Sequence, residues 1–95
     1  MSTSRQLLTD ADLEAKLSQL VRWELRKQCL YRKFQFPDFA TAWAFMAAVA
    51  KVADAIDHHP DWRNVYNKVE ITLSTHDAGG ITALDLALAE AIDAL

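Results

Sequence analysis

The sequence predicts an α+β fold: a four-stranded antiparallel sheet with three helices on one face, in the order α-β-β-α-β-β-α. Three observations carry this. Apolar residues recur at helical spacing in three separate segments, from Leu13, from Phe39 and from Leu84. Between these segments lie runs rich in aromatic and β-branched residues with period-two spacing. Each pair of runs is close enough to form a hairpin, which implies antiparallel pairing, and helices gathered on one face of such a sheet give an α+β layer. At 95 residues the chain is expected to form one domain over 1–95, long enough to build a core without disulfide or metal support.

Residues 1–7 read as a polar, frayed start. A first helix is expected over about 9 to 20: Thr9 is placed to cap it, Asp12 occupies the capping-box position, and Leu8 can staple onto Leu13. Leu13, Leu17 and Leu20 then make a narrow apolar stripe. From Arg22 to Phe36 the aromatic and aliphatic residues alternate loosely with charges, which predicts two strands meeting near Lys27-Gln28-Cys29. Pro37-Asp38 stops the second strand, and Asp38 is a natural N-cap for a long helix through Asp57 that Pro60 ends.

That helix carries two apolar stripes. Phe39, Trp43, Met46 and Ala50 form one; Ala42, Phe45, Val49, Val52 and Ile56 form the other. One packed surface needs only one stripe. The second predicts a further surface, another helix or a symmetry mate, and the Ala42–Ile56 stripe is read as the one supporting association, with another protein partner or within a homo-oligomer. Trp62–Tyr66 and Val69–Thr75 read as a hairpin around Asn67-Lys68, with Val69, Ile71 and Leu73 alternating against Glu70, Thr72 and Ser74. Gly79-Gly80 is a loop. A last helix opens at Thr82 with Asp85 in the capping-box position and continues through Leu84, Leu88, Ala91 and Leu95. No repeat of solenoid period is present.

Composition narrows the class. The formal charge of −3 supplies no overall electrostatic reason for nucleic-acid binding. Arg22, Arg26, Lys27, Arg32 and Lys33 hold half of the basic residues, and such a run is ordinarily the wet face of strands. The single Cys29 forms no internal disulfide and no zinc ribbon. The apolar stretch from Ala42 to Ala50 is far shorter than the ~20 residues that cross a bilayer, and no signal-peptide pattern opens the chain. The expectation is a reduced, cytoplasmic globular protein with neither nucleic acid nor membrane as partner.

All three histidines, His58, His59 and His76, fall near the second hairpin, with Asp54, Asp57, Asp77 and Asp85 as neighbouring carboxylates. Asp54 lies one helical turn before His58, so its carboxylate is expected to reach that imidazole. Imidazoles oriented by carboxylates suit proton transfer near neutrality. Each also has a plain structural reading: His58-His59-Pro60 as a helix end favoured by the dipole, Asp85 as a cap, Trp23 and Trp62 as packing residues. Three imidazoles and a carboxylate would also suit zinc or iron. Adjacent His58 and His59 diverge, however, and no H-x-x-x-H or H-E-x-x-H spacing is present. Periodicity leaves catalysis and metal binding undecided.

The ordered set Asp54-x3-His58-His59-Pro60-x5-Tyr66-x9-His76-x8-Asp85 resembles the signature of the pterin-4a-carbinolamine dehydratase family, also known as the dimerisation cofactor of a hepatic homeodomain factor. The stretch Asp57–His76 is similar almost throughout, as are Trp23, Phe34, Phe36, Phe39 and Ala44-Phe45-Met46. Similarity runs from about Leu8 to the C-terminus, with Asp54 standing where a longer Glu is common. The resemblance implies dehydration of 4a-hydroxytetrahydropterin to quinonoid dihydropterin, in recycling the tetrahydrobiopterin of aromatic amino-acid hydroxylases. It implies no cofactor and no metal, a dimer or tetramer, and a pterin substrate. On this reading His58 and His76 exchange protons and His59 holds the pterin. Asp54 orients His58, and Asp85 positions His76. Asp57, His58, His59, Ser74, Thr75, His76 and Asp77 line the pocket, with main-chain groups answering the pterin and Trp23 as an apolar wall. The rival reading keeps the fold as a helix-mediated interaction module.

Overall fold

The computed structural model describes residues 7–95; the reading of residues 1–6 as frayed lies outside them. Helix α1 spans Asp10–Leu17, strand β1 Glu24–Arg26, β2 Cys29–Gln35, helix α2 Phe39–Ala55, β3 Asp61–Val65, β4 Lys68–Leu73 and helix α3 Ala83–Asp93, with a short 3₁₀ turn at His76–Ala78 between β4 and α3. The four strands form one antiparallel sheet in the order β1-β2-β4-β3. Fold class and element order agree with the sequence expectation.

The sheet has one packed face. Leu30 of β2 and Val69, Ile71 and Leu73 of β4 are fully buried, and the register pairs Leu30 with Leu73 and Phe34 with Val69. Ala42, Val49 and Ala53 of α2 and Leu88, Ala89 and Ile92 of α3 complete this core. Burying several such side chains, at ~1.5–3 kcal/mol each, supplies the main driving force. Both hairpins close with two-residue turns, Lys27-Gln28 and Tyr66-Asn67. Their first residues are left-handed (φ 48° and 52°) although neither is Gly or Asn, so the second turn sits one residue before its expected place.

Three boundaries differ from expectation for physical reasons. Helix α1 stops at Leu17, not 20, because the chain tightens through the Gln19 N–H to Lys16 and Leu20 N–H to Leu17 bonds and drops Leu20 into the core. The N-terminal start is anchored from Leu7, which bridges Thr82, while Leu8 N–H donates to Ile81. Leu7 lies so close to Gly80 that a Cβ there would meet its Cδ2 at 2.9 Å.

Helix α2 begins at its expected cap, Asp38, which accepts from the Thr41 N–H and hydroxyl. It ends at Ala55, ahead of any influence from Pro60. His58 N–H donates to Ala53 and Asp57 N–H to Asp54, with Asp57 left-handed at φ 51°. This is a Schellman termination, normally served by Gly at the left-handed position.

The two stripes of α2 also exchange roles. Ala42, Val49 and Ile56 turn inward to the core, whereas Phe39 and Trp43 are 46% and 59% exposed. The outward surface is therefore the Phe39–Trp43–Ala50 stripe. Nor is the basic run uniformly wet: Arg32 points to the packed face, donates to Asp93 at 2.6 Å and lies over Phe34. Among the described residues no helix is long and apolar enough to cross a membrane.

Candidate active site

Antiparallel register gathers the chemistry at one end of the sheet. Arg26 pairs with Cys29 across the first turn, Leu30 with Leu73, and Asp61 with Thr72. The segment entering β3, His58–Pro60, therefore runs beside the segment leaving β4, Ser74–His76, and both lie near the Lys27-Gln28 turn. A groove of about 240 Å³ is lined there by Gln28, Ser74, Thr75, His76, Gly79 and Gly80. A larger one of about 650 Å³, sharing Gln28 and Ser74, adds Arg26, Lys27, Cys29 and Thr72. The sequence reading missed Gln28 and Cys29 as lining residues. The signal was available, since a two-residue turn beside the exit of β4 must flank whatever follows Leu73.

The Schellman end of α2 decides which carboxylate meets which imidazole. With the helix broken at Asp57, His58 is thrown inward and is 7% exposed. Its Nε2 lies 2.6 Å from Oδ1 of Asp85, which is fully buried. Asp54 instead reaches Nε2 of His59 at 2.8 Å, on the surface. The expectation that Asp54 orients His58 and Asp85 positions His76 is corrected: the i, i+4 geometry that would join Asp54 to His58 is gone after Ala55, and the Asp85 carboxylate is engaged by His58, Thr75 and Thr82.

Asp85 is the hub of a buried network. Its Oδ2 accepts from Thr82 N–H (2.9 Å), closing the capping box of α3, and from the Thr75 hydroxyl (2.9 Å). The Thr75 and Thr82 hydroxyls are 2.6 Å apart, and Thr82 Oγ1 accepts from Leu84 N–H. Thr75 is fully buried, its N–H donates to Gly80, and its carbonyl accepts from Ala78 and Gly79. Its hydroxyl, N–H and carbonyl are all hydrogen-bonded within the protein. Ser74 remains half-buried on the groove wall, and His76, Asp77 and Asp57 are exposed.

Trp23 does not join this group. It is a core residue whose Nε1–H donates to Asp93 (2.8 Å), near the end of α3 opposite Asp85 and about 12 Å along the helix. Glu24 pairs with Tyr31, so Trp23 sits alongside Arg32, whose partner Ile71 lies four residues, about 13 Å, before Thr75.

Burial pushes the Cys29 thiol up, with Arg26 opposing and Asp61 and Asp85 adding smaller upward pulls. That disfavours the thiolate needed by a nucleophile. Among the described residues no group of three or more His, Cys, Asp or Glu is placed to hold a metal ion. The arrangement offers one buried, carboxylate-tethered imidazole, one exposed tethered imidazole and a third on the groove wall.

Comparison with known proteins bears on the family. The family model described as pterin 4 alpha carbinolamine dehydratase matches residues 6–95. A protein of Rhodospirillum rubrum named "Putative pterin-4-alpha-carbinolamine dehydratase" is 52% identical over 88 residues, covering 90% of this chain and 92% of its own. A protein of the same name from Novosphingobium aromaticivorans is 50% identical over 88 residues, with the same coverage of both chains. A crystal structure of a transcriptional coactivator/pterin dehydratase from Brucella melitensis superposes with a TM-score of 0.87 at 40% identity, over 92% of this chain and 95% of that one. A pterin dehydratase-like protein identified as a RuBisCO assembly factor in the alpha-carboxysome has a TM-score of 0.62 at 27% identity, over 77% and 84%.

Proposed function

The chain belongs to the pterin 4 alpha carbinolamine dehydratase family, and from that premise we propose that it removes water from 4a-hydroxytetrahydropterin by histidine acid–base catalysis. The observation that carries the reading is His58: a nearly buried imidazole held at 2.6 Å by a fully buried carboxylate, at the sheet end where His76 lines a groove. A solvated helix-end histidine needs no such tether.

The chemistry balances without an oxidant or reductant. The C4a–O bond breaks and its electron pair leaves with the hydroxyl, which takes a proton from an acid. A base removes the proton on N5, and the N5=C4a double bond of quinonoid dihydropterin forms. His58 and His76 exchange these two protons. Positioned acids and bases contribute ~10²–10⁴-fold to such steps, about 3–5 kcal/mol of barrier. His59, steadied by Asp54, holds the pterin with Ser74, Asp57 and Asp77. In a cell the product returns to the tetrahydrobiopterin cycle of aromatic amino-acid hydroxylases.

A stopped-flow dehydration assay on wild type and His76→Ala tests this. His76 is exposed, so the variant folds, and its rate should fall at least about tenfold. An unchanged rate removes His76 from the mechanism.

A second reading rests on the exposed Phe39–Trp43 stripe of α2, whose rings stack at 6.4 Å. Large exposed aromatics in one patch mark association surfaces, and this stripe is where a second copy or another protein would dock. A pure interaction module would bind no pterin, which equilibrium titration with a pterin distinguishes.

A further inference from the structure

We infer that Thr75 and Thr82 are positioning residues. Their hydroxyls form a one-way relay that keeps the proton of the His58–Asp85 contact on Nε2 and leaves Nδ1 as the basic nitrogen. The inference rests on the proposed acid–base role of His58 for its catalytic consequence, though not for its geometry.

Direction follows from counting protons. A hydroxyl has one proton to give. Thr75 donates its proton to Asp85 Oδ2 at 2.9 Å, so in the 2.6 Å contact between the two threonines Thr75 accepts and Thr82 donates. Thr82 Oγ1 accepts in turn from Leu84 N–H. The chain thus runs from the first turn of α3 through Thr82 and Thr75 to Asp85, with every link pointing the same way. The Thr82 N–H adds a second donor to the same Oδ2. With two donors on it, in a site where Thr75, Thr82 and Asp85 are all fully buried, Oδ2 acts purely as an acceptor and carries no proton of its own. The proton shared with His58 is therefore held by the ring, and Nε2 donates. With Nε2 committed, proton exchange falls to Nδ1, as the second partner of an imidazole sets its tautomer.

The relay also explains why a helix cap and a site residue coincide. Asp85 caps the start of α3 with one oxygen and orders the imidazole with the other. Both hydroxyls are spent within the network, so the two threonines act through Asp85.

The test is ¹⁵N NMR of His58 in the intact protein, together with pterin dehydration. Wild type should show the Nε2–H tautomer alone; an Nδ1–H form, or an even mixture, overturns the inference without any variant. Thr75→Val removes the donor to Asp85 and should give mixed tautomers and about a tenfold lower kcat with little change in KM, whereas Thr75→Ser keeps the hydroxyl and should restore both. If Thr75→Val lowers only thermal stability and leaves the ¹⁵N pattern of His58 as in wild type, the threonines are merely structural and the inference fails. If the tautomer behaves as stated but no form of the protein turns over the pterin, the relay stands and the proposed function fails.

Discussion

Two histidine–carboxylate pairs of nearly equal length sit in opposite surroundings, and this sets up an internally controlled test. Asp85→Ala deletes a fully buried carboxylate and strands the Thr82 N–H, the Thr75 hydroxyl proton and His58 Nε2. Each buried donor left unpaired costs ~1–3 kcal/mol, and the lost helix cap about 1 more. These losses overlap, so the sum is held to about 3–5 kcal/mol, the usual cost of breaking a buried pair. At roughly 4–8 °C per kcal/mol for a domain of this size, the melting temperature should drop by more than roughly 12 °C. Asp54→Ala breaks a contact of 2.8 Å whose side chains are 80% and 58% exposed. It should cost no more than about 0.5 kcal/mol, because water replaces the partner. Urea denaturation of both variants, with an unchanged m-value, reads the difference. Equal losses for the two, or less than ~1 kcal/mol for Asp85→Ala, would refute the claim that burial separates these pairs.

Other outcomes follow from the same contacts. The Tyr31 hydroxyl donates to Glu70 at 2.6 Å, which holds the Glu70 carboxyl below the usual carboxylate range and pushes the Tyr31 phenol up. The depressed group stabilises above the ordinary carboxylate pKa and loses that contribution as pH falls through its folded value. The raised group stabilises below the ordinary phenol pKa and loses it as pH rises through its folded value. Tyr31→Phe should therefore lower the urea midpoint most across neutral pH, with the gap to wild type closing at both extremes. Asp38 is likewise held low, first by the Thr41 hydroxyl and then by its N–H, so Asp38→Ala should loosen the first turn of α2, seen as faster amide exchange there. Asp57→Gly relieves the left-handed strain at the end of α2 and should stabilise by about 0.5–1 kcal/mol, a melting gain that a neutral or destabilised variant would contradict.

Local signals were legible in the sequence because their causes are local. Asp38 and Thr82 cap the helices expected of them, Asp85 completes the expected box, and Val69, Ile71 and Leu73 alternate into the core as written. The carboxylate partners were not legible. A left-handed Asp57 ends α2 without the glycine that announces such an end, and the twist that follows hands His58 to a residue 27 positions away. Trp23 failed as a pocket residue for a similar reason: its partner Asp93 is 70 positions away. Which stripe of α2 faces outward depends on how α3 and β4 pack against it, and that cannot be read from the stripes alone.

The most direct measurement is pterin dehydration by His58→Gln, His76→Ala and the pair combined, each verified as folded by near-ultraviolet circular dichroism. Gln keeps a donor toward Asp85, so lost rate would reflect lost proton transfer and not a stranded carboxylate. Two imidazoles acting in one turnover should each cost at least about tenfold, and the double variant should be far less impaired than the product of the singles. Wild-type rates in either single variant would contradict the account.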